Sequence, residues 1–255
     1  MYVLRIFGNA MIPVHQFPPL QLGHLIKRYK RFLADIALAT GQIITAHCPN
    51  TGPMTGVCAP GSPVAVSHQP SPKRKLAYTW ELIRVGGVWV GINTSLPNKI
   101  VLQGLKQGVF AELRDFPVIK TEVPYGQEGS RVDFCLTDPH TARSMLVEVK
   151  NTTWCKPELG QNVAIFPDTE TTRGQKHLRE LMGSLDQRTD AAIVYFIHRG
   201  DCPLFRSGDE ADPKYGELLR QAIERGVKVL PYRFQVDETG VYYLGTATLV
   251  SAGWG

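Results

Sequence analysis

Two segments, Arg131-Val-Asp-Phe-Cys-Leu136 and Met145-Leu-Val-Glu-Val-Lys-Asn151, decide the fold of this chain. Apolar residues alternate with other residues in both segments, and this alternation predicts two β-strands. In the first strand the alternation separates Asp133 from its apolar neighbours and places it on the opposite face. In the second strand Glu148 and Lys150 share one face, where roughly 6.6 Å of strand rise separates them.

Two carboxylates and an ammonium group on neighbouring strands predict a site for phosphodiester hydrolysis. Charged groups are costly to bury without partners, and a divalent cation with a phosphate satisfies all three. Asp133 and Glu148 are the predicted metal ligands for Mg²⁺ or Mn²⁺. Lys150 is predicted to orient the attacking water or to stabilise the transition state. The alternative interpretation is an ordinary surface pair of Glu148 and Lys150 on an amphipathic hairpin.

The predicted elements around these strands follow the order helix, strand, strand, strand, helix, strand. The corresponding ranges are 97–113, 117–123, 131–136, 145–150, 172–185 and 191–198. This order resembles the core of the PD-(D/E)XK restriction-endonuclease-like fold, which carries an aspartate on its second strand and (D/E)-x-K on its third. Asp133 and Glu148-x-Lys150 lie on those strands. We therefore expect an α/β domain of this type over residues 96–255, with a further helix at 213–225 and a further strand at 227–236.

Three other polar residues are candidates for the same site. Gln175 is predicted to face the sheet and to support the catalytic geometry, since it lies three residues before Leu178 on the apolar stripe of its helix. The alternative places Gln175 in a capping box that begins at Thr172. Glu112 and Glu122 are possible additional acids, and ordinary surface charge explains each of them equally well.

Residues 17–95 are predicted to form a small β-barrel of the oligonucleotide-binding (OB) type, preceded by an extension at 1–16. Short strand-like runs occur near residues 25–26, 32–38, 42–46, 63–67 and 78–85, and turn residues separate them. Regular patterning is expected to begin only near Phe17. Small barrels with interleaved basic and aromatic residues often bind nucleic acid.

Two basic clusters accompany the predicted barrel and are the candidate nucleic-acid-binding residues. The first contains Lys27, Arg28, Lys30 and Arg31, and the second contains Lys73, Arg74 and Lys75. As a functional surface they would follow the phosphate backbone, with Tyr29 or Phe32 stacking on bases. The alternative is a solvated basic strand edge that resists aggregation.

Composition places the chain among ordinary globular proteins with a mild preference for polyanions. It has 255 residues, 43% hydrophobic content and a formal net charge of +5. Five cysteines without Cys-x-x-Cys spacing argue against a disulfide framework or zinc site and favour a reducing cytoplasm. We expect no membrane span and no signal peptide, because no apolar run is long enough and the N-terminus lacks a basic region followed by an apolar one. Met1 and Met11 are both candidate start residues.

Several long motifs in the chain resemble the sugar fermentation stimulation protein A (SfsA) family. They are Leu25-Ile-Lys-Arg-Tyr-Lys-Arg-Phe-Leu-Ala-Asp35, His47-Cys-Pro-Asn-Thr-Gly-Pro-Met54, Lys73-Arg-Lys75 with Thr79-Trp-Glu81, Arg131-Val-Asp-Phe134, Val147-Glu-Val-Lys-Asn151, and Phe166-Pro-Asp168 with Arg173-Gly-Gln-Lys-His-Leu-Arg-Glu-Leu181. The resemblance covers nearly all of the chain from Phe17 onward. It implies an OB-like domain joined to a PD-(D/E)XK-like domain, DNA binding, and a link to the expression of sugar-utilisation genes. The fold of the family suggests nuclease activity.

These observations support three functional hypotheses. The first is a DNA-binding protein of this family with a Mg²⁺- or Mn²⁺-dependent nuclease site. The second is a non-catalytic DNA-binding regulator of sugar-utilisation genes of the maltose type, although no helix-turn-helix with a basic recognition helix is evident. The third is processing of RNA or a nucleotide. Among nucleic-acid partners, we expect DNA rather than RNA. The residues predict neither a sugar ligand nor an oligomeric state.

Overall fold

A computed structural model of the protein describes residues 11–158 and 160–250. Residues 1–10, which distinguish a start at Met1 from one at Met11, lie outside the described part. The first strand, β1, spans Ile12–Gln16. The expectation that regular structure begins near Phe17 is therefore wrong.

A small closed barrel follows β1. Its six strands are β2 (Leu20–Tyr29), β3 (Leu33–Leu38), β4 (Ile43–His47), β5 (Pro63–His68), β6 (Tyr78–Val85) and β7 (Val88–Gly91). They are ordered β4-β3-β2-β5-β6-β7, and a parallel pairing of β4 with β6 closes the first five into a barrel. Alternate residues of β3 point inward, and the barrel interior contains Leu25, Ile36 and Trp80. This confirms the predicted OB-like barrel.

An α/β domain forms the rest of the described chain. Its elements are α1 (Pro97–Gln107), a 3₁₀ turn (Ala111–Leu113), β8 (Val118–Tyr125), β9 (Ser130–Asp138), β10 (Arg143–Thr152), β11 (Cys155–Glu158), β12 (Gln161–Phe166), α2 (Thr172–Gly183), β13 (Thr189–Ile197), β14 (Leu204–Ser207), α3 (Pro213–Glu224), β15 (Lys228–Val236), β16 (Gly240–Thr246) and β17 (Thr248–Leu249). None of the helices in the described ranges is long and apolar enough to cross a membrane.

A seven-stranded mixed sheet organises this domain, with the strand order β1-β16-β15-β13-β10-β9-β8. Strands β10, β13 and β15 are parallel, and the strands on both flanks are antiparallel. Buried residues of α1 pack on one face, whereas α2 and α3 pack on the other. A smaller sheet, β11-β12-β14-β17, completes the domain. The predicted order of helix, three strands, helix and strand is confirmed for the large sheet and its helices, but β11 and β12, which were not predicted, lie between β10 and α2.

The first helix of this domain is shorter than predicted. The apolar stripe suggested a helix to about residue 113, but α1 ends at Gln107 because Gly108 adopts φ 65° and closes it. A left-handed glycine is a common helix terminator, since it has no Cβ to clash. Beyond it, Leu113 reaches the core from the separate 3₁₀ turn.

The barrel and the α/β domain share part of their core. Ala65 and Leu82 of the barrel belong to the same buried cluster as residues of α1 and of the large sheet. Next to them, the amide of Gly91 donates a 2.9 Å hydrogen bond to the carbonyl oxygen of His198. A Cβ at Gly91 would lie 2.0 Å from the His198 ring, so only glycine permits this approach. Burial, aided by the charge of His15, lowers the pKa of His198 to about 3 and keeps its ring neutral.

Candidate metal centre and nucleic-acid groove

The candidate centre forms where β9 and β10 separate. Their antiparallel pairing runs from Arg143 opposite Asp138 to Val147 opposite Phe134 and stops there. Beyond that point Oδ2 of Asp133 accepts a 2.7 Å hydrogen bond from the backbone amide of Val149. The carboxylate thus takes the acceptor position that a main-chain carbonyl would hold in a continuous ladder.

Asp133 is held from a second side by α1. Its Oδ1 accepts a 2.7 Å hydrogen bond from Nδ2 of Asn98, which lies in the first turn of that helix. Asn98 was not predicted as part of the site. Because both carboxylate oxygens receive donors from the protein, the side chain is fixed in one orientation.

The side-chain alternation of β9 changes at Asp133, contrary to the prediction. Val132 packs with the α2 cluster, whereas Phe134 packs with the α1 cluster, although the sequence pattern places both on one face. In the neighbouring edge strand, Glu122 has φ 53°, a left-handed conformation that interrupts regular pleating. Pro124 follows it in β8, which confirms the expectation that this strand bends or lies at an edge.

Glu148, Lys150 and His177 form a compact buried group beside Asp133. Lys150 Nζ lies 2.8 Å from Oε1 of Glu148 and 3.1 Å from Nδ1 of His177. His177 Nδ1 also contacts Oε1 of Glu148. Glu148 is only 3% exposed, and its Oε2 has no hydrogen-bond partner among the described residues. The prediction that Glu148 and Lys150 share one face is confirmed.

The two carboxyl groups differ in pKa because their surroundings differ. Burial, reinforced by the negative charge of Glu148, raises the pKa of Asp133 to about 6. Burial also acts to raise the pKa of Glu148, but hydrogen bonds and positive charge from His177 and Lys150 outweigh it and hold that pKa below its usual range. Burial and the negative charges of Glu148, Glu180 and Asp133 raise the pKa of Tyr125, whose hydroxyl is buried without a partner among the described residues. Burial and the neighbouring charge of Glu148 therefore both disfavour the ionised form of Asp133.

This donor set fits a hard divalent cation. Mg²⁺ is typically bound by one or two carboxylates and keeps several waters, which substrate phosphate oxygens can replace. Such a cation would give Oε2 of Glu148 a partner, and it would stabilise the ionised form of Asp133, whose pKa is raised in its absence. In residues 11–158 and 160–250 the only three-ligand clusters of His, Cys, Asp or Glu within 4.8 Å involve Cys155, Asp201 and Cys202. Asp133 and Glu148 thus suit an ion that keeps waters, not a closed all-protein cage.

Gln175 does not lie with these residues. Its amide Nε2 donates 3.0 Å hydrogen bonds to both carboxylate oxygens of Asp212, the N-cap residue of α3. The proposed capping box is also misplaced by one residue, because Thr171 caps α2 and accepts from the amide of Gly174. The α2 residue that enters the site is His177. Gln175 joins the starts of two helices instead.

The two additional acids considered from the sequence are not part of the group. Glu112 accepts a 3.0 Å hydrogen bond from the hydroxyl of Tyr232, on the α1 side of the sheet. Glu122 is exposed and lines an open groove that reaches His177.

That groove is strongly basic. It has a volume of about 620 Å³ and runs from β8 and β9 across the first turns of α2. Its lining includes Arg131, Arg173, Lys176 and Arg179, with Glu122 as its one acidic residue. His177 lines the groove and also contacts Glu148 and Lys150, so it connects the carboxylate group to the groove wall. The sequence did not single out these cations, because they are spread over two elements.

The predicted basic clusters of the barrel divide into structural and free cations. Arg28 donates from NH2 to the carbonyls of Asn50 and Gly52, each at 2.9 Å, and Arg31 donates to the carbonyl of Thr51 at 2.7 Å. These two arginines hold the loop after β4. Lys27 is 63% exposed and lies 3.6 Å from Asp35 in a weak surface pair. For Arg28 and Arg31, the structure therefore gives a stabilising role that the charge pattern did not predict.

The remaining cations of these clusters are exposed. Lys30 lies in the turn after β2, and Lys73 and Lys75 lie in the loop before β6. Arg74 donates to Oγ1 of Thr79 at 2.6 Å. Arg74 and Lys75 line a largely apolar groove of about 470 Å³ together with Phe32, which is 46% exposed.

Comparison with known proteins identifies two family models along the chain. Residues 26–92 match the SfsA N-terminal OB domain, and residues 95–240 match the sugar fermentation stimulation protein RE domain. These ranges coincide with the barrel and the α/β domain.

Named relatives match over nearly the full length. A sugar fermentation stimulation protein homolog from Microcystis aeruginosa is 58% identical over 239 residues, which cover 92% of this chain and 97% of the relative. A homolog from Thermosynechococcus vestitus is 54% identical over 236 residues, covering 92% and 96%. Among solved structures, SfsA of Pyrococcus furiosus in complex with Ca²⁺ matches with a TM-score of 0.83, covering 94% of this chain and 100% of that one. It is 24% identical, and this likeness shows the shared fold.

Proposed function

The chain belongs to the sugar fermentation stimulation protein family, and from the geometry of its carboxylate site we propose that it is a phosphodiesterase that acts on nucleic acid with a divalent metal ion. DNA is favoured over RNA as the substrate. The observation that carries the proposal is the buried group of Asp133, Glu148 and Lys150, which His177 connects to the wall of a basic groove.

Asp133 and Glu148 would hold the metal, Mg²⁺ or Mn²⁺. When bound, such an ion supplies a Lewis acid for a phosphate oxygen and lowers the pKa of a coordinated water. The chain itself fixes the ligands: Val149 and Asn98 hold Asp133, while Lys150 and His177 hold one oxygen of Glu148. The Ca²⁺ complex of the Pyrococcus furiosus relative supports cation binding by this fold.

Lys150 is the proposed catalytic cation. Its side chain is 12% exposed and its ammonium sits between Glu148 and His177, so its position is set before substrate arrives. A positioned ammonium can orient the attacking water and offset the negative charge that develops on the phosphoryl oxygens. His177 contacts both Lys150 and Glu148 and acts as a positioning residue.

The basic groove is the proposed path of the phosphodiester backbone. Cationic side chains along a groove attract phosphates without regard to sequence, and this attraction weakens as the salt concentration rises, because the release of counterions on binding then gains less entropy. Arg173 in the first turn of α2 is exposed in this groove. Arg173→Ala should weaken binding uniformly across sequences and reduce the salt slope by about one. An unchanged salt slope would exclude Arg173 from the backbone path.

The experiment is a cleavage assay with labelled single-stranded and duplex DNA and RNA in Mg²⁺, Mn²⁺ or EDTA. Wild type should cleave in the presence of metal, and Lys150→Ala should bind without cleaving. Lys156→Ala is the matched control, because Lys156 is an exposed lysine that pairs with Glu210 at 2.9 Å. Binding without cleavage under every condition would favour the non-catalytic DNA-binding regulator, and equal cleavage by Lys150→Ala would assign the activity elsewhere.

A further inference from the structure

A second cluster of reactive side chains lies outside the carboxylate site, where β11 begins and where the loop after β13 passes it. Cys155 Sγ, Cys202 Sγ and a carboxylate oxygen of Asp201 all lie within 4.8 Å of one another. Cys202 is fully buried, and Cys155 is half-buried, so a small reagent meets Cys155 first. All five cysteines of the chain are free thiols.

The polar surroundings of this cluster argue against a metal ion. Both oxygens of Asp201 already accept hydrogen bonds from the guanidinium of Arg199, at 2.7 and 2.8 Å, and Asn162 donates a further one at 2.9 Å. Arg199 is itself buried, so a bound cation would face a fixed positive charge. Only the two sulfurs remain available, whereas a structural zinc ion takes four ligands.

We propose that Cys155 and Cys202 are a redox-active dithiol, which a hydroperoxide oxidises to an intramolecular disulfide. The Cys155 thiolate attacks one oxygen of hydrogen peroxide, the O–O bond breaks, and the released hydroxide takes a proton to become water. Cys155 is then a sulfenic acid. The sulfur of Cys202 attacks the sulfur of Cys155, loses its proton, and displaces the second water as the S–S bond forms. The two thiols together lose two electrons, and the peroxide gains them.

The electrostatics of the pair give the two cysteines different roles. The neighbouring Cys202 thiol and the positive charge of Arg199 outweigh burial and lower the pKa of Cys155. The closeness of Cys155 and burial raise the pKa of Cys202, whose thiol keeps its proton and donates to Oδ1 of Asp201 at 3.7 Å. The more exposed Cys155 is therefore the attacking thiolate, and the buried Cys202 resolves the sulfenic acid.

The other cysteines lack this combination. Burial is the main influence on Cys48, Cys58 and Cys135, and it raises the pKa of each thiol. Cys48 is also committed to a hydrogen bond with the carbonyl of Asn50 at 3.3 Å. Oxidation at low peroxide should thus select the Cys155–Cys202 pair.

Hydrogen bonds already join the two segments that the disulfide would link. The amide of His198 donates to the carbonyl of Thr152 at 3.0 Å, and Arg199 NH1 donates to the carbonyl of Thr153 at 3.3 Å. Disulfide formation brings two sulfurs to about 2.05 Å. Because their segments are tied on the N-terminal side of each cysteine, side-chain rotation with a small backbone adjustment can close the gap.

The test oxidises the reduced, folded full-length protein with limiting hydrogen peroxide and then blocks free thiols with N-ethylmaleimide in denaturant. Intact mass should show that the number of blocked thiols falls from five to three, and dithiothreitol should restore it. Peptide mapping should find one linked pair, Cys155 with Cys202. Cys58→Ser, the half-exposed control, should still lose two thiols, whereas Cys155→Ser should lose none.

Three results would overturn the proposal. Five blocked thiols after peroxide treatment would show that the pair does not react. Sulfinic acid at Cys155 with Cys202 still blocked would show that Cys202 cannot resolve the intermediate. One zinc ion per purified chain, lost in Cys155→Ser, would make the cluster a metal site. The wild-type measurement decides the question even where a variant fails to fold, and it is independent of any cleavage activity.

Discussion

Replacing Asp133 by asparagine should make the metal-free protein more stable. The pKa of this carboxyl is raised from 3.8 to about 6, first by burial and then by the charge of Glu148. Each pKa unit corresponds to 1.36 kcal/mol, so ionised Asp133 destabilises the fold by about 3 kcal/mol. Asparagine removes the charge and can keep both contacts: its oxygen accepts from Val149, and its amide donates to Asn98 once the Asn98 amide turns over.

The gain should depend on pH in a defined direction. Because the folded pKa of Asp133 lies above its unfolded value, the penalty is absent below about pH 4, grows as pH rises from about 4 to 6, and is complete above that. Asp133→Asn should therefore match wild type near pH 4 and exceed it by about 3 kcal/mol near pH 8. For a chain of this size that gain corresponds to a rise in Tm of roughly 6 to 12 °C.

The assay is urea unfolding in EDTA, followed by tryptophan fluorescence from about pH 4 to 8. The control is Asp138→Asn, on the same strand. The pKa of Asp138 is lowered, mainly by a hydrogen bond from Thr141, so its loss should slightly destabilise the protein above the pKa, the opposite sign. Equal stability of wild type and Asp133→Asn at pH 8, or a gain that does not change with pH, would refute the reasoning.

Two predictions concern the junction and the barrel. Gly91→Ala should destabilise the protein by about 1–3 kcal/mol, because its methyl group would overlap a buried imidazole, while Gly183→Ala, which meets nothing within 4 Å, should be neutral or stabilising in thermal unfolding. A Gly91→Ala variant as stable as wild type would contradict the packing described. Arg28→Ala should lower the stability of the barrel by about 1–3 kcal/mol through loss of its carbonyl contacts, whereas Lys30→Ala should change only the salt dependence of nucleic-acid binding. Equal urea midpoints for both variants would show that Arg28 is not structural.

The sequence predicted the long elements and the pairing of Glu148 with Lys150 because both depend on short-range periodicity. The two-residue period of β10 places the side chains of Glu148 and Lys150 on one face independently of the rest of the fold. The α2 and β13 patterns were equally local. By contrast, β1 pairs with β16 across more than two hundred residues, and no local pattern in Ile12–Gln16 identifies that partner.

Helix register and a distant residue explain why His177, and not the predicted Gln175, enters the site from α2. The apolar stripe through Leu178 and Leu181 extends back by four residues to Gly174 and His177, so the signal for His177 was present. Stepping back by three residues instead indicated Gln175. The N-cap carboxylate of Asp212, on another helix, then accounts for the observed position of the Gln175 amide.

Charge patterning failed at Arg28 for a different reason. A run of cations gives the net charge of a segment, but it does not say whether a guanidinium meets solvent or a backbone carbonyl. The loop at Asn50–Gly52 supplies those carbonyls from outside the basic cluster. The sequence did not predict the basic groove at α2, because its cations lie on separate segments and come together only in the folded chain.

Mn²⁺ binding measured by calorimetry tests the central claim most directly, because it separates the metal ligands from the catalytic cation. Wild type should bind Mn²⁺ at the carboxylate site, and Glu148→Gln should lose that binding. Lys150→Ala should bind as tightly or more tightly, since a positive charge 2.8 Å from Glu148 is removed, while losing cleavage. Absence of binding by wild type, or equal binding by Glu148→Gln, would contradict the proposed metal centre.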